Sequence, residues 1–401
     1  MSTTRTAPGP LSSRFPGVRK AKADRFYRPE LDVLRFAAFL CVFVCHSIPN
    51  LSLAPSSGFG QRLIVAIKDA GNFGVCIFFL LSSYLITELL RREQIKTGDI
   101  HLKSFYLRRI LRIWPLYFAI LIAYLILGRI HPSLSMEPGR TAANLLLVGN
   151  WYIFFHPYIT TPLRALWSIS VEEQFYLTWP SIAKFGGLRW IARLSGCLIL
   201  ISIVTIGIVS SRRVNLPVTV WVNSFVQFQF FALGALLAIY LSGSTLKLNR
   251  GGRLSAFMLG VACWLTASGV FLIKRPEANP SLLSMITGYE AAALGAVLIF
   301  LSVLGIRPDA LPSPFIYLGK ISYGLYAFHE TGFMVADNIE KLERRLFAFA
   351  NGPQAHNALF VLNKGTALAA TILLSMLSYR LLETPFLNLK KKFTVVQSRG
   401  V

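Results

Sequence analysis

Charge is what this chain has least of. Only 15% of its 401 residues are Asp, Glu, Lys or Arg, against about 25% in an ordinary soluble domain. Acidic residues are the scarcer sign, 18 against 41 basic ones, which leaves a formal net charge of +23. So few charges leave no room for a sizeable soluble domain, although the length would otherwise fill two or three. Cysteine is thin as well. Cys41, Cys45, Cys76, Cys197 and Cys263 lack metal-site spacing and lie within apolar runs. That excludes a disulfide scaffold and makes them small apolar packing residues. Paired internal halves of the kind many transporters carry are not evident, and no cleavable signal peptide is expected.

What the chain does have is apolar sequence. Hydrophobic residues make up 54% of it, with a mean hydropathy of +0.54. Apolar runs near 20 residues recur, the length needed to cross about 30 Å of hydrocarbon as a helix. The pattern predicts an all-α, polytopic integral membrane protein with about ten transmembrane helices, near 31–49, 70–90, 110–128, 166–183, 190–210, 219–241, 255–273, 283–304, 314–336 and 366–387. Lys and Arg are about twice as frequent on the side that holds both termini, so both termini are expected in the cytoplasm. The segment "KLERR" at 341–345 runs against that trend on the outer side, softened by Glu340 and Glu343. The basic balance therefore reads as topology and not as nucleic-acid binding. The expected location is the plasma membrane (the inner membrane of a bacterium), with the bilayer as partner.

Residues 1–28 are rich in Pro, Ser, Thr and Arg, and predict a disordered cytoplasmic tail. Residues 29–388 form the transmembrane domain, and 389–401 a basic cytoplasmic tail. The outer loop 129–165 contains "NLLLVGNWYIFF", too short to span, and predicts a re-entrant or interfacial piece.

Three spans contain polar groups that lipid disfavours, at roughly 2.5–3.5 kcal/mol for a charge at the bilayer centre. In "RPELDVLRFAAFLCVFVCHS", Arg35 and His46 are eleven residues apart. At 100° per residue they differ by about 20°, with Asp32 within about 60° of both, and His46 lies about 16 Å further along. A satisfied core histidine beside an interfacial Asp–Arg pair explains this stripe as well as function does. In "LWSISVEEQFYLTWP", Glu172 and Glu173 point about 100° apart, so they cannot both face one site. Ser170, Glu173 and Gln174 share one face, and Glu172 aligns with Tyr176. In "LGKISYGLYAFHE", Ser322, Tyr326 and His329 form a stripe and Glu330 follows. Counted along their helices, His46, His329 and Glu173 all fall in the outer half of the membrane. A shared depth predicts one site in which a carboxylate orients an imidazole base.

A different chemistry is expected at the cytoplasmic face. "FYLRRILRIWPLY" places Arg108, Arg109 and Arg112 at i, i+3 and i+4 spacings after "LLRRE". Guanidinium groups so spaced suit phosphate. Ordinary flanking charge explains their sign but not their density.

Taken together, these segments resemble the acyltransferase-3 family of integral-membrane O-acyltransferases. "GVCIFFLLSSYLITELL" and "SYRLLETPF" complete six matching stretches in order, covering Arg28 to about Phe386. The resemblance implies about ten spans and transfer of an acetyl or similar group from acyl-CoA, acetyl-CoA foremost, to a hydroxyl, often on a sugar. It marks Arg35 and His46, the pair Arg109 and Arg112, and the glutamates of "SVEEQFY" as functional. Family members usually read "FFVLSGFLI" where this chain has "FFLLSSYLI"; Ser83 replaces the glycine that permits close backbone approach. Many relatives also carry a C-terminal hydrolase-like domain, which is not expected here.

On this reading His46 is the base that deprotonates the acceptor hydroxyl, with an acyl-histidine as the alternative route. Glu173 or another carboxylate, with Glu172 and His329 as neighbours, would fix its tautomer. Arg35 lines the path, and Arg108, Arg109 and Arg112 hold the CoA phosphates. Asp32, Ser82, Tyr84, Trp167, Tyr326 and Glu330 are the expected substrate contacts, and no metal is expected. The acceptor is a glycan, exopolysaccharide, lipopolysaccharide or glycosylated metabolite. The rival class is a proton-coupled secondary transporter, because intramembrane His and Glu also relay protons; a non-catalytic scaffold, which would tolerate loss of His46, is a third.

Overall fold

A computed structural model describes residues 26–49, 57–156, 161–211, 216–346 and 353–396. The expected disordered tail up to residue 25, and residues 397–401 of the basic tail, lie outside them.

Every regular element among the described residues is helical. Lipid offers the backbone no hydrogen-bonding partner, and a helix satisfies its own. In chain order the helices are α1 (Pro29–Ser47), α2 (Phe59–Ala70), α3 (Gly74–Thr97), α4 (Leu102–Ile130), α5 (Pro138–Leu145), α6 (Gly149–Phe155), α7 (Leu166–Ser211), α8 (Leu216–Val222), α9 (Ser224–Leu241), α10 (Arg250–Gly269), α11 (Leu282–Val303), α12 (Ser313–Lys320), α13 (Ser322–Leu346), α14 (Pro353–Ser378) and α15 (Thr384–Lys390).

Six of these stretches among the described residues are long and apolar enough to cross a membrane. They are Phe59–Thr97, Leu102–Ile130, Leu166–Ser211, Ser224–Leu241, Leu282–Val303 and Ala358–Phe393. Large apolar side chains such as Ile122, Ile126, Leu200, Val204, Leu373 and Leu377 are exposed on their outer faces, as lipid contact requires. α7 is 46 residues long, about 69 Å at 1.5 Å per residue, more than twice the hydrocarbon thickness. Its backbone breaks at Gly187 (φ 70°, ψ −175°), a left-handed conformation that glycine adopts without strain. The break falls where the sequence pattern separates two spans. The apolar piece of the 129–165 loop forms the short α6, which packs on α7 and α8.

α1 is buried over most of its surface, including Glu30 and Asp32, and leaves a stripe through Ala37 and Val44 exposed. It is clamped by close backbone approach. A Cβ on Gly71 would lie 2.4 Å from the Cys41 carbonyl, one on Gly74 2.3 Å from that of Ala38, and one on Gly319 1.8 Å from that of Asp32. Phe36 against Phe315 and Phe43 against Phe333, with ring centres 5.4 and 4.8 Å apart, tie α1 to α12 and α13. α3 and α9 also pack closely, because Gly234 approaches the Leu80 carbonyl. The Ser83 hydroxyl donates to the carbonyl of Phe231 across that contact. The serine is thus accommodated: the facing helix supplies the glycine.

Candidate active site

The clamp on α1 fixes His46 in its last turn. There it meets α13, from which His329 and Glu330 project. His46 Nδ1 lies 2.9 Å from His329 Nε2 and 3.1 Å from Glu330 Oε1, and His329 Nε2 lies 3.0 Å from the same oxygen. The two imidazoles are nearly parallel, with centres 5.1 Å apart. Arg164, just before α7, donates from Nε to Glu330 Oε1 at 2.6 Å. His329 is fully buried and Glu330 9% exposed, whereas the His46 side chain retains 22% of its accessible surface. Of the two histidines, His46 is the one a substrate can touch.

Hydrogen bonding assigns the tautomers. His329 Nδ1 is 2.5 Å from the Tyr326 carbonyl, which only accepts, so Nδ1 carries a proton. The Glu330 carboxylate only accepts, so the His46 tautomer it favours donates from Nδ1. Its Nε2 is left with the lone pair, as a general base requires. The ligand atoms of His46, His329 and Glu330 could in principle surround a metal ion. The Arg164 guanidinium on Oε1 already puts a positive charge there, which a second cation would have to oppose.

A second feature is a cavity of about 170 Å³ that runs inward from Phe26 and Val396 to Ser168, Ser322 and Tyr326. Its walls carry six cations: Arg28, Arg35, Arg108, Arg109, Arg112 and Lys390. Three have carboxylate partners. Arg28 lies 3.6 Å from Glu30, Arg35 2.9 Å from Asp32 and Arg108 2.9 Å from Glu93. Arg109, Arg112 and Lys390 make no ion pair among the described residues. Arg109 stacks on Tyr176 and Phe105, 5.3 and 5.5 Å from the ring centres, and its buried Nε has no hydrogen-bond partner among the described residues. Midway along, the Ser82 and Tyr176 hydroxyls both donate to Glu172 Oε1. At the inner end the Ser168 and Tyr326 hydroxyls are 2.8 Å apart. His46, His329 and Glu330 do not line the cavity; they stand behind Tyr326, whose own carbonyl holds His329.

The structure sorts the residues the sequence singles out. Asp32, Arg35, Ser82, Glu172, Tyr326 and the three arginines of α4 all line the cavity, and His46, His329 and Glu330 form the cluster behind it. Glu173 is not beside His46. It points away from Glu172, as the 100° offset demands, and accepts from the Trp114 indole at 3.0 Å. The carboxylate at His46 is Glu330. Tyr84 is fully buried against Phe300, and Trp167 packs between Phe79 and Trp221; neither reaches the cavity. Arg164, Ser168 and Lys390 were not anticipated. Arg164 had one visible signal, a cation on the side where positive charge is sparse.

Apolar, membrane-length helices around a cationic cavity and a buried histidine–carboxylate cluster define a multi-pass membrane protein with a polar interior site. A family model described as an acyltransferase domain matches residues 28–380, and the chain belongs to that family, acyltransferase-3. It is 26% identical over 409 residues to the peptidoglycan O-acetyltransferase OatA of Listeria monocytogenes, covering 94% of this chain and 59% of that protein. It is also 26% identical over 378 residues to the O-acetyltransferase OatA of Staphylococcus aureus, covering 90% and 57%. The chain thus spans less than three fifths of the length of these curated relatives. No solved structure matches it.

Proposed function

We propose that this protein is a membrane-embedded O-acyltransferase that moves an acetyl or similar short acyl group from acyl-CoA to a carbohydrate hydroxyl. The chain crosses the plasma membrane ten times in this reading, with both termini cytoplasmic. One observation carries it: unpaired cations in an inward-running cavity, with a base-competent imidazole behind the cavity's far end. Phosphates suit Arg109 and Arg112, because guanidinium groups bind them bidentately. The pantetheine arm, roughly 15–20 Å when extended, is comparable to the about 16 Å of helix between Arg35, which lines the cavity, and His46. A sugar acceptor is supported by the relatives, one of which is named a peptidoglycan O-acetyltransferase.

His46 Nε2 removes the proton as the acceptor oxygen attacks the thioester carbonyl. The C–S bond breaks, and the departing thiolate takes the proton back from the imidazolium. The products are an O-acyl ester and free CoA. Glu330 and His329 hold the His46 tautomer and stabilise the transient positive charge, and Arg164 positions Glu330.

The test is release of free CoA from labelled acetyl-CoA by the purified protein in bilayers, dependent on an added carbohydrate acceptor. A proton-coupled transporter would instead carry solute without releasing CoA, and that result would replace the enzyme reading.

A further inference from the structure

The C-terminal segment belongs to the wall of the cationic cavity. α14 runs through a π-helical turn at Tyr379–Glu383 into α15, a distortion often found at functional sites. α15 packs on α4, the helix that carries the three arginines. Beyond it the chain turns across the mouth. Arg108 Nη1 donates to the Phe393 carbonyl at 2.8 Å, and Lys96 donates to that of Val395 at 3.4 Å. Lys390, Thr394 and Val396 line the cavity, and Val396 is buried.

Lys390 needs an explanation. It is half-buried and lines the cavity with Arg109 and Arg112, and none of the three makes an ion pair among the described residues. The next lysine shows the alternative, since Lys391 is exposed and donates to Asn388 Oδ1 at 2.9 Å. Cations without a contact ion pair, gathered in a partly desolvated site, repel one another, and an anion relieves that cost. Three such cations call for a ligand with several negative charges.

We propose that Lys390 is a third phosphate ligand of this cavity, so that the C-terminal segment completes the site for a polyphosphorylated nucleotide. This rests on the acyl-CoA reading and deepens it: α4 supplies two cations and α15 the other. The cavity is also smaller than the roughly 300–1,000 Å³ of most small-molecule sites. A ligand of CoA size therefore needs room at the mouth, where this segment lies.

Equilibrium binding of CoA to the purified full chain in nanodiscs tests it. The proteins compared are the parent, Lys390→Gln, Lys390→Arg and the double variant Arg109→Gln/Arg112→Gln. Loss of one charge-assisted contact predicts about tenfold or more weaker binding by Lys390→Gln, with Lys390→Arg recovering most of it. Recovery separates charge from a structural role for the tail. Lys390→Gln binding as tightly as the parent while the arginine double variant binds weakly would overturn the Lys390 assignment and leave the donor reading intact. Lys390→Arg binding as weakly as Lys390→Gln would also overturn it. A parent protein that does not bind CoA would remove the donor reading itself.

Discussion

His46 and His329 lie 283 residues apart in the chain, yet Nδ1 of one is 2.9 Å from Nε2 of the other. Glu330 closes the triangle and Arg164 anchors Glu330. One carboxylate therefore lies against both imidazoles, and its charge is what an imidazolium at His46 would lean on.

Glu330→Gln should lower acyl-transfer turnover about a hundredfold or more, the scale of removing the group that orients a general base. Glu173→Gln should keep most of the turnover, because Glu173 is bonded to Trp114 on another face. Steady-state rates of the two purified variants decide between them. The reverse ranking would return the orienting role to Glu173.

Arg109→Gln with Arg112→Gln should raise the KM for acyl-CoA by one to two orders of magnitude, at roughly 1.5–3 kcal/mol for each charge-assisted bond lost. Arg108→Gln should raise it less, because Glu93 and the Phe393 carbonyl already engage that side chain. Donor titrations at saturating acceptor measure this. Equal effects from Arg108 and from the pair would show that pairing does not select the ligands.

Much of this site was legible in the sequence, for a physical reason. A titratable residue within an apolar run is visible because lipid penalises it, so His46, Glu172, Glu173, His329 and the arginine cluster could all be named. Helical geometry also put the two glutamates on different faces. That Glu330 and neither of these glutamates would meet His46 depended on the packing of α1 against α12 and α13, and on contacts such as Gly319 on Asp32, which periodicity does not encode. Arg164 and Lys390 lie in connecting or terminal stretches, where a cation carries no lipid penalty to mark it, and only its place on the sparsely positive side set Arg164 apart. Tyr84 and Trp167 belong to motifs that resemble the family's, yet their side chains serve packing.

Gly74→Ala should destabilise the protein by about 1–3 kcal/mol, as overpacking does, because its Cβ would meet the Ala38 carbonyl at 2.3 Å. Gly196→Ala, with nothing within 4 Å, should cause no loss. Thermal unfolding in one detergent compares them. Equal melting temperatures would mean that α1 is not held by this contact.

Transfer should be two-sided, with donor taken from the cytoplasmic face and acceptor from the other. Sealed vesicles of known orientation can confine acyl-CoA and acceptor to chosen sides. Transfer only when both are on the cytoplasmic side would contradict this and point to an intracellular acceptor.

The most direct measurement is single-turnover acyl transfer by purified His46→Ala, with expression, membrane insertion and CoA affinity checked against the parent. A histidine that takes the acceptor's proton predicts normal CoA binding and loss of about 10²–10⁴ or more in the transfer rate. Near-parental transfer by that variant would contradict the assignment of His46 as the base.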